Sequence, residues 1–133
     1  MAEVSLARLF VYGTLQTGQS AHALLQGLEG ARRLGPAWVS GRLYDCGEYP
    51  GAVPDAADGA RVHGELWEVA PRFERLDAFE GYDAARPAES LFLRREVEVQ
   101  LGGEVVRAWT YVLARVSAGA ERLDAGVWPA QRG

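Results

Sequence analysis

The sequence predicts an α+β fold, a small twisted or closed β-barrel with short flanking helices. Three features carry that reading: about six strand-like segments, hairpin signals between neighbours, and no strand-helix-strand alternation of the parallel kind. The 133 residues suffice for one domain, 1–133, and no linker, repeat or low-complexity block divides them.

Residues 6–12 hold the apolar run Leu9, Phe10, Val11 and Tyr12, ended by Gly13, the pattern of a buried strand. Ser20 is a fair N-cap for a helix with Ala21, Leu24, Leu25 and Leu28 at helical spacing and Gly30 as its stop. Residues 33–45 read as two short extended pieces with a break near Ser40 and Gly41. Residues 50–59, rich in Ala, Asp, Pro and Gly, read as a surface loop, as does the stretch 83–90. Val62, Leu66, Trp67 and Val69 mark a strand over 61–69, and Pro71 suits the first turn of a helix reaching about Phe79. Further on, Leu93, Val97, Val99 and Leu101 share one strand face, while Arg94, Glu96, Glu98 and Gln100 share the other. Gly102 and Gly103 signal a hairpin, and 105–113, apolar on both faces, reads as a central strand. Residues 129–133 read as a frayed tail.

A net charge of −4 argues against a nucleic-acid binder, which needs a basic stripe to displace counterions from phosphates. There is no apolar run long enough for a membrane helix. The start, Met-Ala-Glu-Val-Ser, has no secretory pattern, so a cytoplasmic location is expected. The single cysteine, Cys46, has no partner for an internal disulfide, which fits a reducing compartment. All 14 basic residues are Arg, and Lys, Ile and Asn are absent together. A GC-rich gene depletes those three residues at once, so the pattern reflects codon usage rather than chemistry.

The usual catalytic constellations are missing. Cys46, His22 and His63 are scattered, with no local nucleophile signature and too few ligands for a zinc site. No Gly-rich phosphate loop of the dinucleotide or Walker type occurs. The expectation is therefore no metal, no cofactor, and structural roles for Cys46, His22 and His63.

Two segments stand out instead. The strand that stops at Tyr12-Gly13-Thr14-Leu15 and turns before a helix leaves several backbone N–H groups able to cradle an anion. The second is the helix over 72–80. At about 100° per residue, with Phe73 at 0°, Leu76 falls near −60° and Phe79 near −120°. Glu80 falls near −20°, inside the apolar stripe, and Asp77 near +40°, at its rim. A carboxylate directed with core side chains is costly unless it is paired, protonated or used, and burial would make Glu80 a competent general acid and base.

These segments, with others in order, resemble the γ-glutamylcyclotransferase-like family, in its γ-glutamylamine cyclotransferase and AIG2-like branch. The resemblance is carried by Val11-Tyr12-Gly13-Thr14-Leu15-Gln16-Thr17-Gly18 with His22 downstream, by Gly41-Arg42-Leu43-Tyr44-Asp45, and by Tyr49-Pro50-Gly51. It continues through Val62-His63-Gly64-Glu65-Leu66, Leu76-Asp77-Ala78-Phe79-Glu80-Gly81-Tyr82, residues 94–99 and Ala108-Trp109-Thr110-Tyr111-Val112. One departure is Phe92, where the family often has Tyr.

The resemblance implies a small mixed β-barrel with helices packed on it. It implies a catalytic Glu at Glu80 and a loop for the γ-glutamyl head group at Tyr12, Gly13, Thr14 and Leu15. Tyr111 is the further pocket residue expected from the family pattern, with Tyr49 and Tyr82 as secondary candidates and Trp38, Trp67, Trp109 and Trp128 as packing. The implied reaction closes a γ-glutamyl amide or γ-glutamylamine on itself, giving 5-oxoproline and a free amine. Nucleophile and electrophile share one molecule, so no protein nucleophile, metal or cofactor is needed. The expected partner is a small γ-glutamyl substrate, with no nucleic acid and no membrane, and the protein is expected to be a monomer. A second reading keeps the same cavity in a non-catalytic binder of a glutamyl-like ligand. Glu80 favours the enzyme, because a binder of an ammonium group would also tolerate Asp or Gln.

Overall fold

The structure is a computed structural model that describes residues 6–129. The elements in order are β1 (Ala7–Val11), α1 (His22–Gln26), β2 (Arg32–Asp45), β3 (Pro50–Pro54), β4 (Arg61–Val69), α2 (Glu74–Phe79), a 3₁₀ turn (Pro87–Glu89), β5 (Phe92–Leu101), β6 (Glu104–Leu113) and β7 (Glu121–Leu123).

Five strands close into a barrel in the order β2-β4-β1-β6-β5, with β2 meeting β5 at Trp38 and Gln100. The sheet is mixed: β1 runs parallel to β6 through Leu9 and Trp109, and the other pairs are antiparallel. The α+β barrel read from the sequence is the observed fold. Strand β1 is buried on both faces, as its continuous apolar run requires. Phe10 and Tyr12 join one core cluster with Val39, Val62, Leu66 and Val99, while Leu9 and Val11 join a second with Leu25, Trp67, Phe73 and Leu76.

Several expected boundaries are corrected. Residues 33–45 are one strand rather than two pieces, and the break signal marks a change of partner. Arg32 to Ser40 pair with β4, whereas Gly41 to Asp45 pair with β3. Gly41 is required there because a Cβ would lie 2.7 Å from the carbonyl oxygen of Val53. The expected loop at 50–59 begins with β3, whose Pro50, Gly51 and Ala52 are buried. A Cβ on Gly51 would overlap the Leu113 side chain, so packing against β6, rather than turn geometry, selects glycine. With β3 and β7 the described strands number seven, not six.

The first helix starts at His22 with Ala21 as an N-cap that makes no side-chain bond, and it ends at Gly27 rather than Gly30. Helix α2 starts at Glu74, so Pro71 and Arg72 precede it. Strand β6 is buried on both faces only from Ala108 onward apart from Trp109; its hairpin end faces solvent, with Val105 59% exposed. The Gly102-Gly103 hairpin forms as read, both glycines having positive φ. The sequence readings at residues 1–5 and 130–133 lie outside the described residues.

Candidate active site

The loop after β1, the end of α2 and the inner part of β6 surround a small pocket. Tyr12, Gly13, Thr14, Leu15, Glu80 and Tyr111 all line it, joined by Tyr49, Pro50 and Thr110. The six site residues read from the sequence therefore converge, and Tyr49 with them. Tyr82 is not on this lining and stands beside Arg94, 5.8 Å from its guanidinium carbon. The pocket has about 30 Å³ of free volume and opens, past Thr14, Tyr49 and Glu80, into a groove of about 510 Å³.

The loop is clamped from both ends. The Gln16 N–H donates to Gly13 O at 3.1 Å, and Ala21 N–H to Thr14 O at 2.8 Å. His22 Nδ1 lies 2.9 Å from Leu15 O, with its ring edge against Trp67. At the far end Glu65 accepts from Thr17 N–H at 2.9 Å, Thr17 Oγ1 at 3.1 Å, Trp67 Nε1 at 3.2 Å and Arg33 Nε at 3.2 Å. Burial alone would raise the Glu65 pKa, but these donors outweigh it and hold the carboxyl below its ordinary value. Among the described residues, the N–H groups of Gly13, Thr14 and Leu15 have no acceptor. Gly13 does not adopt positive φ; it is glycine because a Cβ would lie 2.7 Å from the Pro50 ring.

The two tyrosines brace the wall. Tyr12 donates its phenol to the backbone oxygen of Tyr111 and accepts from Ala52 N–H at 3.1 Å. Tyr111 donates its own phenol to Asp77 Oδ1 at 2.6 Å, and Asp77 also takes Arg94 Nε at 2.9 Å and Nη2 at 3.3 Å. Burial first, then the charge of Glu80 for Tyr12 and the hydrogen bond to Asp77 followed by its charge for Tyr111, keeps both phenols protonated. The Arg94 guanidinium is packed over Phe73 and Trp109, with its carbon 4.6 and 5.0 Å from the ring centroids. Here the even face of β5 is covered by α2 rather than open to water.

Glu80 is the C-cap residue of α2, its N–H donating to Leu76 O at 2.9 Å. Its side chain turns to the pocket while Phe79, assigned to the apolar stripe by the angular reading, is 50% exposed. The inward arc of the helix thus runs from Leu76 through Phe73 and Glu80 to Asp77, leaving Phe79 on its edge. Among the described residues no donor reaches the Glu80 carboxylate, and burial pushes its pKa from 4.5 up to about 7.

The sequence reading assigned no role to Glu65, Asp77 or Arg94, and it treated His22 as passive. Glu65 carried only a weak signal, as an acidic residue directly before the apolar pair Leu66-Trp67 in a strand that also holds Arg61, His63 and Glu68. Cys46 and His63 do not line the pocket. Among the described residues no three His, Cys, Asp or Glu side chains gather to hold a metal ion, and no helix is long and apolar enough to cross a membrane.

Comparison with known proteins follows the same outline. Residues 9–130 match the family described as gamma-glutamyl cyclotransferase, AIG2-like. The gamma-L-glutamyl-butirosin B gamma-glutamyl cyclotransferase of Niallia circulans is 33% identical over 114 residues, covering 84% of this chain and 70% of that protein. The gamma-glutamylcyclotransferase family protein YtfP of Escherichia coli is 32% identical over 123 residues, covering 91% of this chain and 95% of its own. The gamma-glutamylaminecyclotransferase of Bos taurus is 36% identical over 109 residues, covering 74% of this chain and 59% of that protein. Among solved structures, an AIG2-like protein from Mus musculus superposes with a TM-score of 0.70 at 27% identity, covering 85% of this chain and 80% of that one. With sequence likeness across nearly the whole chain and the barrel in common, this protein belongs to the AIG2-like gamma-glutamyl cyclotransferase family.

Proposed function

We propose that the protein is a cofactor-independent γ-glutamyl cyclotransferase that converts a γ-glutamyl amide or γ-glutamylamine to 5-oxoproline and a free amine. The observation that carries this reading is Glu80, a carboxyl raised to about 7 by burial, without donors among the described residues and facing the loop whose N–H groups have no acceptor among them. A carboxyl titrating near neutrality accepts and returns protons with little driving force wasted.

In the proposed reaction the α-nitrogen attacks the γ-carbonyl carbon, forming the ring C–N bond as the bond to the leaving nitrogen breaks. The α-nitrogen starts with three protons and ends with one. Glu80 carries the two it loses, one after the other, to the leaving nitrogen, which departs as an ammonium. The Gly13, Thr14 and Leu15 N–H groups hold the anionic end of the substrate or the oxyanion that develops on the γ-carbonyl. Folding the substrate into the pocket supplies the proximity that a separate nucleophile would otherwise have to provide.

The test is 5-oxoproline release from a panel of γ-glutamyl amides by the wild type and by Glu80→Gln. Turnover falls by about 10²-fold or more in the variant while it stays folded, because an amide is cheaper to bury than a carboxylate. Near-wild-type turnover by folded Glu80→Gln removes Glu80 from the chemistry. Binding of γ-glutamyl compounds without turnover of any of them replaces the enzyme with a binder.

A further inference from the structure

Beyond Glu80 the pocket widens into the groove walled by Ala21, Tyr49, Phe79, Leu91 and Phe92, with Glu48 at its margin. Phe79 and Leu91 are each 50% exposed, and both stand on this wall. Their exposure is built into the fold. Turning Glu80 and Asp77 inward leaves Phe79 at the uncovered edge of α2. Leu91 is held in place by its backbone, its N–H donating to Gly81 O at 3.0 Å and its carbonyl accepting from Ala114 N–H at 3.1 Å.

The charge of the groove is one-sided. Glu48 and Glu80 are its two ionisable carboxyls, and among the described residues no basic side chain lines it. A leaving group with its own carboxylate would enter a space holding two acidic groups and no cation, at a cost in repulsion and desolvation. An apolar substituent instead covers Phe79 and Leu91 and releases the water on them.

We propose that this groove is the leaving-amine subsite and that it selects alkyl or arylalkyl amines without a carboxylate. The inference rests on the proposed cyclisation, because the groove joins the pocket at Thr14, Tyr49 and Glu80, where the departing nitrogen must lie. Phe79 and Leu91 set the preference for bulk, and Glu48 sets the rejection of anions.

Three matched substrates test it: γ-glutamyl-phenethylamide, γ-glutamyl-phenylalanine, which adds one carboxylate, and γ-glutamyl-ethylamide, which lacks the ring. The kcat/KM for the phenethylamide exceeds each of the other two by about tenfold or more. Phe79→Ser and Leu91→Ser each shrink the phenethylamide-to-ethylamide ratio toward one, and Glu48→Gln shrinks the phenethylamide-to-phenylalanine ratio. Turnover of all three at similar kcat/KM, or a preference for the phenylalanine conjugate, overturns the subsite and leaves the reaction standing. No 5-oxoproline from any of the three while another γ-glutamyl amide of the wider panel is turned over overturns the subsite alone, and none from the whole panel overturns the reaction and the subsite with it.

Discussion

Tyr111 donates its phenolic proton to Asp77 across 2.6 Å, tying the helix that carries Glu80 to the strand behind the pocket. Asp77 and Glu80 share α2 and its C-terminal cap, yet their surroundings differ completely. Asp77 receives Arg94 and Tyr111, whereas Glu80 faces the pocket without a donor among the described residues. The tie continues through Tyr111 O to the phenol of Tyr12 and on to Ala52, so β5, α2, β6, the 12–17 loop and β3 meet in one hydrogen-bonded chain. A helix of six residues has little stability of its own, and this chain supplies what positions it.

Arg94 should not tolerate Lys. The guanidinium bonds Asp77 through two nitrogens and lies over Phe73 and Trp109, a geometry that an ammonium cannot reproduce. Arg94→Lys is expected to lose about 1–2 kcal/mol in urea unfolding and to lower turnover by shifting α2. An unchanged midpoint would show that the pair contributes nothing.

Glu80 makes both stability and rate depend on pH. Its folded pKa of about 7 lies above the ordinary 4.5, so the folded state holds the proton more tightly. Stability from this group is complete below the ordinary value and is lost as pH rises through about 7, a span of about 3 kcal/mol. Wild type minus Glu80→Gln stability should therefore fall between pH 5 and pH 8. The basic form is the active one at the start of the reaction, so kcat/KM rises with pH through about 7. In kcat the rise moves to lower pH, because the bound α-ammonium favours the carboxylate. A flat kcat/KM profile over pH 5–8 would contradict the assignment.

Glu65 acts at a distance from the chemistry, through the loop. Its donors hold its pKa below the ordinary value, so its contribution is present above that value and is lost as pH falls through the lower folded one. Glu65→Gln is expected to cost about 1–2 kcal/mol at pH 7 and progressively less in acid. Loosening Thr17 should raise KM more than it lowers kcat, as should His22→Ala through Leu15 O. A fall confined to kcat, with KM unmoved, would place these residues in the chemical step instead.

Gly64→Ala tests how closely β4 approaches the start of the loop. The added Cβ would lie 2.2 Å from Val11 O and 3.0 Å from Tyr12 Cα, both backbone atoms that cannot swing aside. A loss of about 2 kcal/mol or more is expected in thermal or urea melts, with β1 displaced. A melt within about 0.5 kcal/mol of wild type would mean that the approach is looser than described.

Cys46→Ala should leave turnover at the wild-type rate. Burial, and then the charge of Asp45, raise the thiol pKa, which keeps it out of the reactive thiolate form at neutral pH. Loss of activity in a variant with an unchanged melt would demand a cysteine mechanism.

The sequence by itself determined four barrel strands, β1, β4, β5 and β6, and the direction of Glu80, because each follows from the apolar pattern within one element. The apolar run at 9–12, the apolar set Val62, Leu66, Trp67 and Val69, the alternation along 93–101, the glycine pair at 102–103 and the angle of Glu80 relative to Phe73 and Leu76 are local quantities. Periodicity says which way a side chain leaves its own element, but nothing about what stands opposite. Glu65 waits for Thr17 across 48 positions, and Asp77 for Arg94 across 17 and for Tyr111 across 34. The same limit hid β3, whose Pro50 and Gly51 look like a turn until Leu113 is seen to leave no room for a side chain. Barrel closure decided these features. It brings distant backbones to within hydrogen-bonding or van der Waals reach, and only then is it settled which carboxylate is paired and which is left to titrate.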